Sequence, residues 1–140
     1  MNLNSKIFSY PTIIKEVYLD VFGHMNNAMY LTLLEEARWD FITKNGYDLK
    51  KIISTGLGPT ILAINIQYHK ELKVREEIII ETQLISYSGK IGKLGHRILR
   101  NNELCCTAEL TFGLFSVKER KLVSPTADWL NAIGAEVSAK

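Results

Sequence analysis

Between Tyr18 and Tyr30 the chain reads YLDVFGHMNNAMY, which gathers a carboxylate, an imidazole, two carboxamides and two phenols within thirteen residues. Asp20 can take a proton from water or attack a carbonyl carbon itself, and nothing in the segment chooses between these roles. Asn26 or Asn27 suits a helix N-cap, so residues 23–27 fall where the first turn leaves N–H groups without intrahelical partners. Those amides carry the positive end of the helix dipole and can stabilise an oxygen that gains charge when an acyl carbonyl, such as a thioester's, is attacked. Gly23 permits a sharp turn or the close approach of a substrate. His24 fits hydrogen bonding, packing or a direct chemical role; Asn26 and Asn27 fit capping and loop fixing; Tyr30 packs with its hydroxyl near the site.

The elements that must position this segment follow from periodicity. Residues 8–19 read as a first extended segment, with Pro11 suiting a sheet edge. Tyr30, Leu33, Leu34, Ala37 and Phe41 recur at helical spacing until Gly46, which predicts one long helix, and Leu31, Trp39 and Ile42 widen its apolar surface as if it were enclosed on several sides. After a Gly-containing connection at 55–59 the period becomes two. Strands are predicted at 60–69, 77–87, 91–100 and 104–117, joined as a four-stranded meander by antiparallel hairpin turns at 70–76, 88–90 and 101–103, with a short helix at 125–133. The expected fold is α+β: one long central helix wrapped by a curved, five-stranded antiparallel sheet. Open edges of that length invite pairing, so a homo-dimer joined edge to edge is expected.

Composition narrows the function. With 140 residues, 46% of them hydrophobic, the chain reads as a single domain, 1–140, able to bury a core without metals or disulfides. A formal net charge of +2 with 23% charged residues is too balanced for non-specific binding to nucleic acid or an anionic membrane. Cys105 and Cys106 are adjacent, a spacing that suits neither a zinc site nor a secreted disulfide framework, and they read as reduced core residues. The opening MNLNSKIFSYPTI lacks a signal-peptide core, and no stretch approaches the roughly 18 apolar residues of a membrane span, so a cytoplasmic protein is expected. No metal or cofactor is called for.

The string Asp20-x-x-Gly23-His24-Met25-Asn26-Asn27-x-x-Tyr30, followed by Glu35-Glu36-Ala37-Arg38, resembles the hotdog-fold acyl-CoA thioesterases of the 4-hydroxybenzoyl-CoA thioesterase type. The likeness extends over about residues 10–118 and includes Tyr68 near the end of the second strand. It departs at Tyr18, where the family often has an acidic residue, and after Tyr68, where this chain has Glu71 and Arg75-Glu76. The resemblance implies that Asp20 is the catalytic carboxylate, that a backbone amide around residues 24–26 polarises the thioester carbonyl, and that no cofactor takes part. It further implies an acyl-CoA substrate whose acyl chain enters beside the helix at a subunit interface of a dimer or a dimer of dimers. Glu35 and Glu36 are reserve catalytic candidates, because another branch of hotdog enzymes uses a helix glutamate. Coenzyme A phosphates call for cations at the mouth, with Lys90 and Lys93 placed first ahead of Lys70, Lys73, Arg75 and Arg97. An acyl-carrier-protein thioesterase and a catalytically silent acyl-CoA-binding module are the alternatives; a dehydratase would need a histidine paired with a carboxylate around a β-hydroxyacyl group, and the chain has no His-rich signature of that kind.

Overall fold

In chain order, a computed structural model of residues 4–136 contains β1 (Asn4–Ser5), β2 (Ile7–Ile13), a 3₁₀ turn (Glu16–Tyr18), α1 (Asn27–Lys44), α2 (Leu49–Thr55), β3 (Leu57–Tyr68), β4 (Glu77–Ser88), β5 (Ile91–Arg100), β6 (Glu103–Ser116), β7 (Lys121–Val123), α3 (Ala127–Ala132) and β8 (Ala135–Glu136). The ends of the predicted domain lie outside the described residues. Five long strands form one antiparallel sheet, as the periodicity predicts, but in the order β2-β4-β5-β6-β3. Only β4, β5 and β6 follow one another as the expected meander. β3 pairs β6 instead of forming a hairpin with β4, because the connection after Tyr68 is no tight turn and carries the chain across the end of the sheet. The short β7 adds a sixth strand on β6, and β1 pairs β8 separately. Three residues are too few to show a period, which is why β7 leaves no trace in the pattern.

Helix α1 lies on the sheet with Tyr30, Leu33, Leu34, Ala37, Arg38, Phe41 and Ile42 buried, a stripe at i, i+3, i+4, i+7. It meets Ile14, Ile78, Ile80, Leu84, Leu94, Ile98, Leu110 and Phe112 in a single apolar cluster that also takes in Trp129, edge-on to Phe112. Asn26 caps its start by accepting the Ala28 N–H, and Gly46, at φ 92°, follows its end. Leu31 and Trp39, expected inside, remain 40% and 38% exposed, so a single chain encloses the helix on one side only. They lie on the flank that the sheet of the same chain does not cover.

Three boundaries differ from the sequence reading. The first strand ends at Ile13 rather than running to residue 19, because Lys15, Glu16 and Val17 are all exposed and have no face to bury. Helix α2 occupies the span between Gly46 and the connection at 55–59, to which the sequence reading assigns no element; Asp48 caps it and Gly56, at φ 70°, ends it. It buries none of its seven residues and so has no apolar stripe to be read. β3 begins three residues earlier than predicted, at Leu57. The Asn101-Asn102 hairpin behaves as expected: both residues have positive φ, 50° and 63°, which matches a two-residue turn of the primed type.

Candidate active site

The segment between the 3₁₀ turn and α1 doubles back on itself. Leu19 pairs Met25 across a short antiparallel bridge, the Asp20 N–H donates to the His24 carbonyl at 2.8 Å, and Gly23 turns the chain at φ 82°. Inside this loop the Asp20 carboxylate accepts two backbone N–H groups on one oxygen, from Phe22 at 2.8 Å and His24 at 3.3 Å. That oxygen, Oδ1, fixes the loop. Among the described residues Oδ2 has no partner, so it is the oxygen left for chemistry. The loop is also pinned from outside: Met25 N–H donates to Leu72 O and Asn26 N–H to Tyr18 O, each at 2.8 Å, and His24 bridges Lys73.

These bonds decide which amide can meet an incoming carbonyl oxygen. The N–H groups of residues 24, 25 and 26, where the resemblance puts the donor, are taken by Asp20, Leu72 and Tyr18. In the first turn of α1 the Ala28 N–H is held by the Asn26 side chain at 2.9 Å and the Met29 N–H by the Asn26 carbonyl at 2.9 Å. The N–H of Asn27, the first helical residue, has no partner among the described residues, and it sits where the helix dipole adds to its positive character.

A cleft of about 490 Å³ opens over this loop, lined by Asp20, Phe22, His24, Met25, Asn26, Asn27 and Tyr30 on one side and by Tyr68, His69, Lys70 and Glu71 on the other. Tyr30 and Tyr68 meet edge to face at 4.8 Å between centroids, and the Tyr68 hydroxyl donates to the Asn27 carbonyl at 3.4 Å. Burial pushes the Tyr30 phenol up to about 12, so it stays protonated at neutral pH and can only act as a neutral hydrogen-bonding group. His24 Nε2 lies 3.2 Å from the Glu71 carboxylate, and Lys70 Nζ lies 3.6 Å from that of Glu103.

Six of the seven residues expected from the loop and helix start therefore share one cleft, with Met25 buried as a floor, while Gly23 turns the loop without lining it. Glu35 and Glu36 do not reach it. They are exposed further along α1, where Glu35 lines a second, smaller cavity of about 90 Å³ with Arg38, Trp39, Pro59 and Ile61. Lys90 and Lys93 do not line the cleft either: Lys90 sits in the β4–β5 turn, and Lys93 pairs Glu109 at 3.3 Å on the face of the sheet. The cation at the cleft is Lys70. Phe22, His69 and Glu71 join the lining without having been named as site residues. Their signal was adjacency, since Phe22 lies inside the loop and residues 69–71 directly follow Tyr68 where the strand ends beside the helix start.

Known proteins share this fold. Residues 17–133 match the family described as the thioesterase-like superfamily. The long-chain acyl-CoA thioesterase FadM of Escherichia coli (strain K12) is 31% identical over 113 residues, covering 79% of this chain and 85% of FadM. Among solved structures, YbaW, a probable thioesterase from Escherichia coli, superposes with a TM-score of 0.80 at 26% identity, covering 89% of this chain and 95% of that one. Slr0204, a 1,4-dihydroxy-2-naphthoyl-CoA thioesterase from Synechocystis, shares the fold with a TM-score of 0.83 at 18% identity over 91% of this chain and 96% of that one. SAV2348 of Staphylococcus aureus, a hypothetical protein in complex with CoA, shares it with a TM-score of 0.85 at 17% identity over 92% and 82%. With its hotdog fold and the matched span, the chain belongs to the thioesterase-like superfamily.

Proposed function

We propose that the protein hydrolyses acyl-CoA thioesters to a free acid and CoA, with Asp20 as the catalytic carboxylate and the Asn27 N–H as the donor to the carbonyl oxygen. The observation that carries this is the convergence of an unpartnered carboxylate oxygen and an unpartnered helix-start amide on one cleft. Asp20 either attacks the carbonyl carbon through Oδ2 or takes a proton from the attacking water, while Asn27 stabilises the developing oxyanion. Lys70 at the mouth is the group for a CoA phosphate. The acyl chain runs between α1 and β3, from Tyr30 and Tyr68 past Leu31 and Ile64 to the cavity at Arg38 and Trp39. From Asn27 to Arg38 the helix rises about 16 Å, enough for an extended chain of roughly a dozen carbons.

The test is Asp20→Asn, which keeps an acceptor oxygen for the Phe22 and His24 amides but removes the charge. Thiol release from a panel of aliphatic and aromatic acyl-CoAs should fall by about two to four orders of magnitude with the circular dichroism unchanged. Parent-like turnover in this variant would refute the assignment. Acyl groups carried on a carrier protein, compared at equal chain length, separate the carrier-protein thioesterase; thermal stabilisation by acyl-CoA without thiol release would mark a silent binding module. We further infer a homo-dimer through the open edge of β3, and a reducing, cytoplasmic setting that matches the free, buried Cys105 and Cys106.

A further inference from the structure

His24 and Glu71 stand in the cleft without a task in that mechanism. Their side chains are 32% and 66% exposed, so the contact adds little to stability. Yet it is held with care. Met25, next to His24, donates its N–H to the carbonyl of Leu72, next to Glu71, at 2.8 Å; Leu72 is fully buried, and Arg100 holds the Glu71 carbonyl at 2.8 Å. The 3.2 Å approach of Nε2 to the carboxylate is thus set by two backbones locked to each other. Because Nε2 is occupied by Glu71, the ring nitrogen left for a substrate is Nδ1, which has no partner among the described residues.

We propose that His24 is the acid that protonates the departing thiolate and that Glu71 is the positioning residue that holds its ring and balances its charge, an inference that rests on the thioesterase reading. When the C–S bond breaks, its electron pair stays on sulfur, and sulfur takes the Nδ1 proton of the imidazolium. CoA leaves as the thiol, and the ring is left neutral with its Nε2–H on Glu71. The proton is then restored. If Asp20 acted as base, it hands over the proton it took from water; if Asp20 was acylated, His24 takes a proton from the water that opens the mixed anhydride. Either way one water and one thioester give one acid and one thiol. The carboxylate works on the ring as the acidic member of a Ser-His-Asp triad does, fixing its orientation and compensating the charge it carries.

The distinguishing measurement uses two leaving groups on one acyl chain: CoA, which gains from protonation, and 4-nitrothiophenol, whose thiolate departs without it. Glu71→Ala and His24→Asn should each lower kcat on the acyl-CoA by about 10- to 100-fold with KM little changed, and lower kcat on the S-(4-nitrophenyl) thioester by less than about 3-fold. The double variant should be no slower than the His24 variant, since the two act as a unit. Equal losses on both esters, or no loss on acyl-CoA, would overturn the proposal. A parent protein that releases thiol from neither ester overturns the thioesterase reading itself.

Discussion

At the scale of single residues, Asp20 divides its work between two oxygens. Oδ1 accepts two amides and shapes the loop, and Oδ2, without a partner among the described residues, is the oxygen the proposed chemistry uses. Asp20→Ala should therefore disturb the loop as well as the chemistry, which makes Asp20→Asn the cleaner variant. Asn27 offers an unusual way to remove a backbone donor. Proline is favoured at the first helical position, and the preceding Asn26 already has the extended backbone, φ −60° and ψ 138°, that a residue before proline adopts. Asn27→Pro should fold with its helix intact and lose the N–H. Its kcat should drop by about 10²- to 10³-fold, the range for removal of one oxyanion donor. An unchanged kcat in a folded variant would move the oxyanion site elsewhere.

At the scale of elements, β3 carries the oddest burial. It pairs β6 on one side only, and Ile61, Leu62, Ile64 and Tyr68 are between 39% and 49% exposed, more than a lone edge strand would keep in water. The bulge at Leu62 in its ladder with β6 keeps Pro59 and Ile61 turned toward α1 beyond that point, where they face Arg38 and Trp39. Strand, helix flank and cleft thus share one exposed apolar surface, and a second copy added along β3 would cover it. Lysine at Ile64 puts a charge on that surface. Sedimentation of Ile64→Lys should give a monomer with sharply reduced turnover on long acyl chains, whereas a parent that already sediments as a monomer would exclude the edge-paired dimer.

At the scale of the whole molecule, the core contains one polar group of three. Arg38 donates through a guanidinium nitrogen to His96 Nε2 at 3.2 Å, and Thr82 Oγ1 lies 2.9 Å from Nδ1. Arginine can only donate, so Nε2 accepts and the Nδ1–H donates to Thr82. Burial, with the nearby Arg38 charge, drives His96 down to about 3, and burial also lowers Arg38. The sign follows from linkage: between about pH 3 and 6.5 the unfolded chain binds a proton at residue 96 that the folded chain refuses, so stability falls as pH drops through this window. The loss at the acid end can reach about 5 kcal/mol. Urea unfolding of His96→Gln should show a flatter dependence between pH 4 and 7 than the parent, as about one fewer proton is taken up; parallel curves would rule out His96 as the source.

Hydrophobic period and turn chemistry sufficed to identify α1, the four long strands after it and the β4-β5-β6 meander, because each buries a face whose spacing is written in the residues; that β3 pairs β6 rather than β4 is a long-range choice that no local pattern records. The segment from Asp20 to Tyr30 was legible for the same kind of reason: the cap, the glycine and the carboxylate are local, and a loop of seven residues cannot separate them far. Tertiary structure alone decided which amide is free, because the partners that occupy residues 25 and 26 come from Leu72 and Tyr18. It also decided which charges meet the cleft. His24 and Glu71 are 47 positions apart and become neighbours only when the β3–β4 connection folds over the Asp20 loop, while Lys90 and Lys93, sound candidates by type, are carried away on the β4–β5 hairpin.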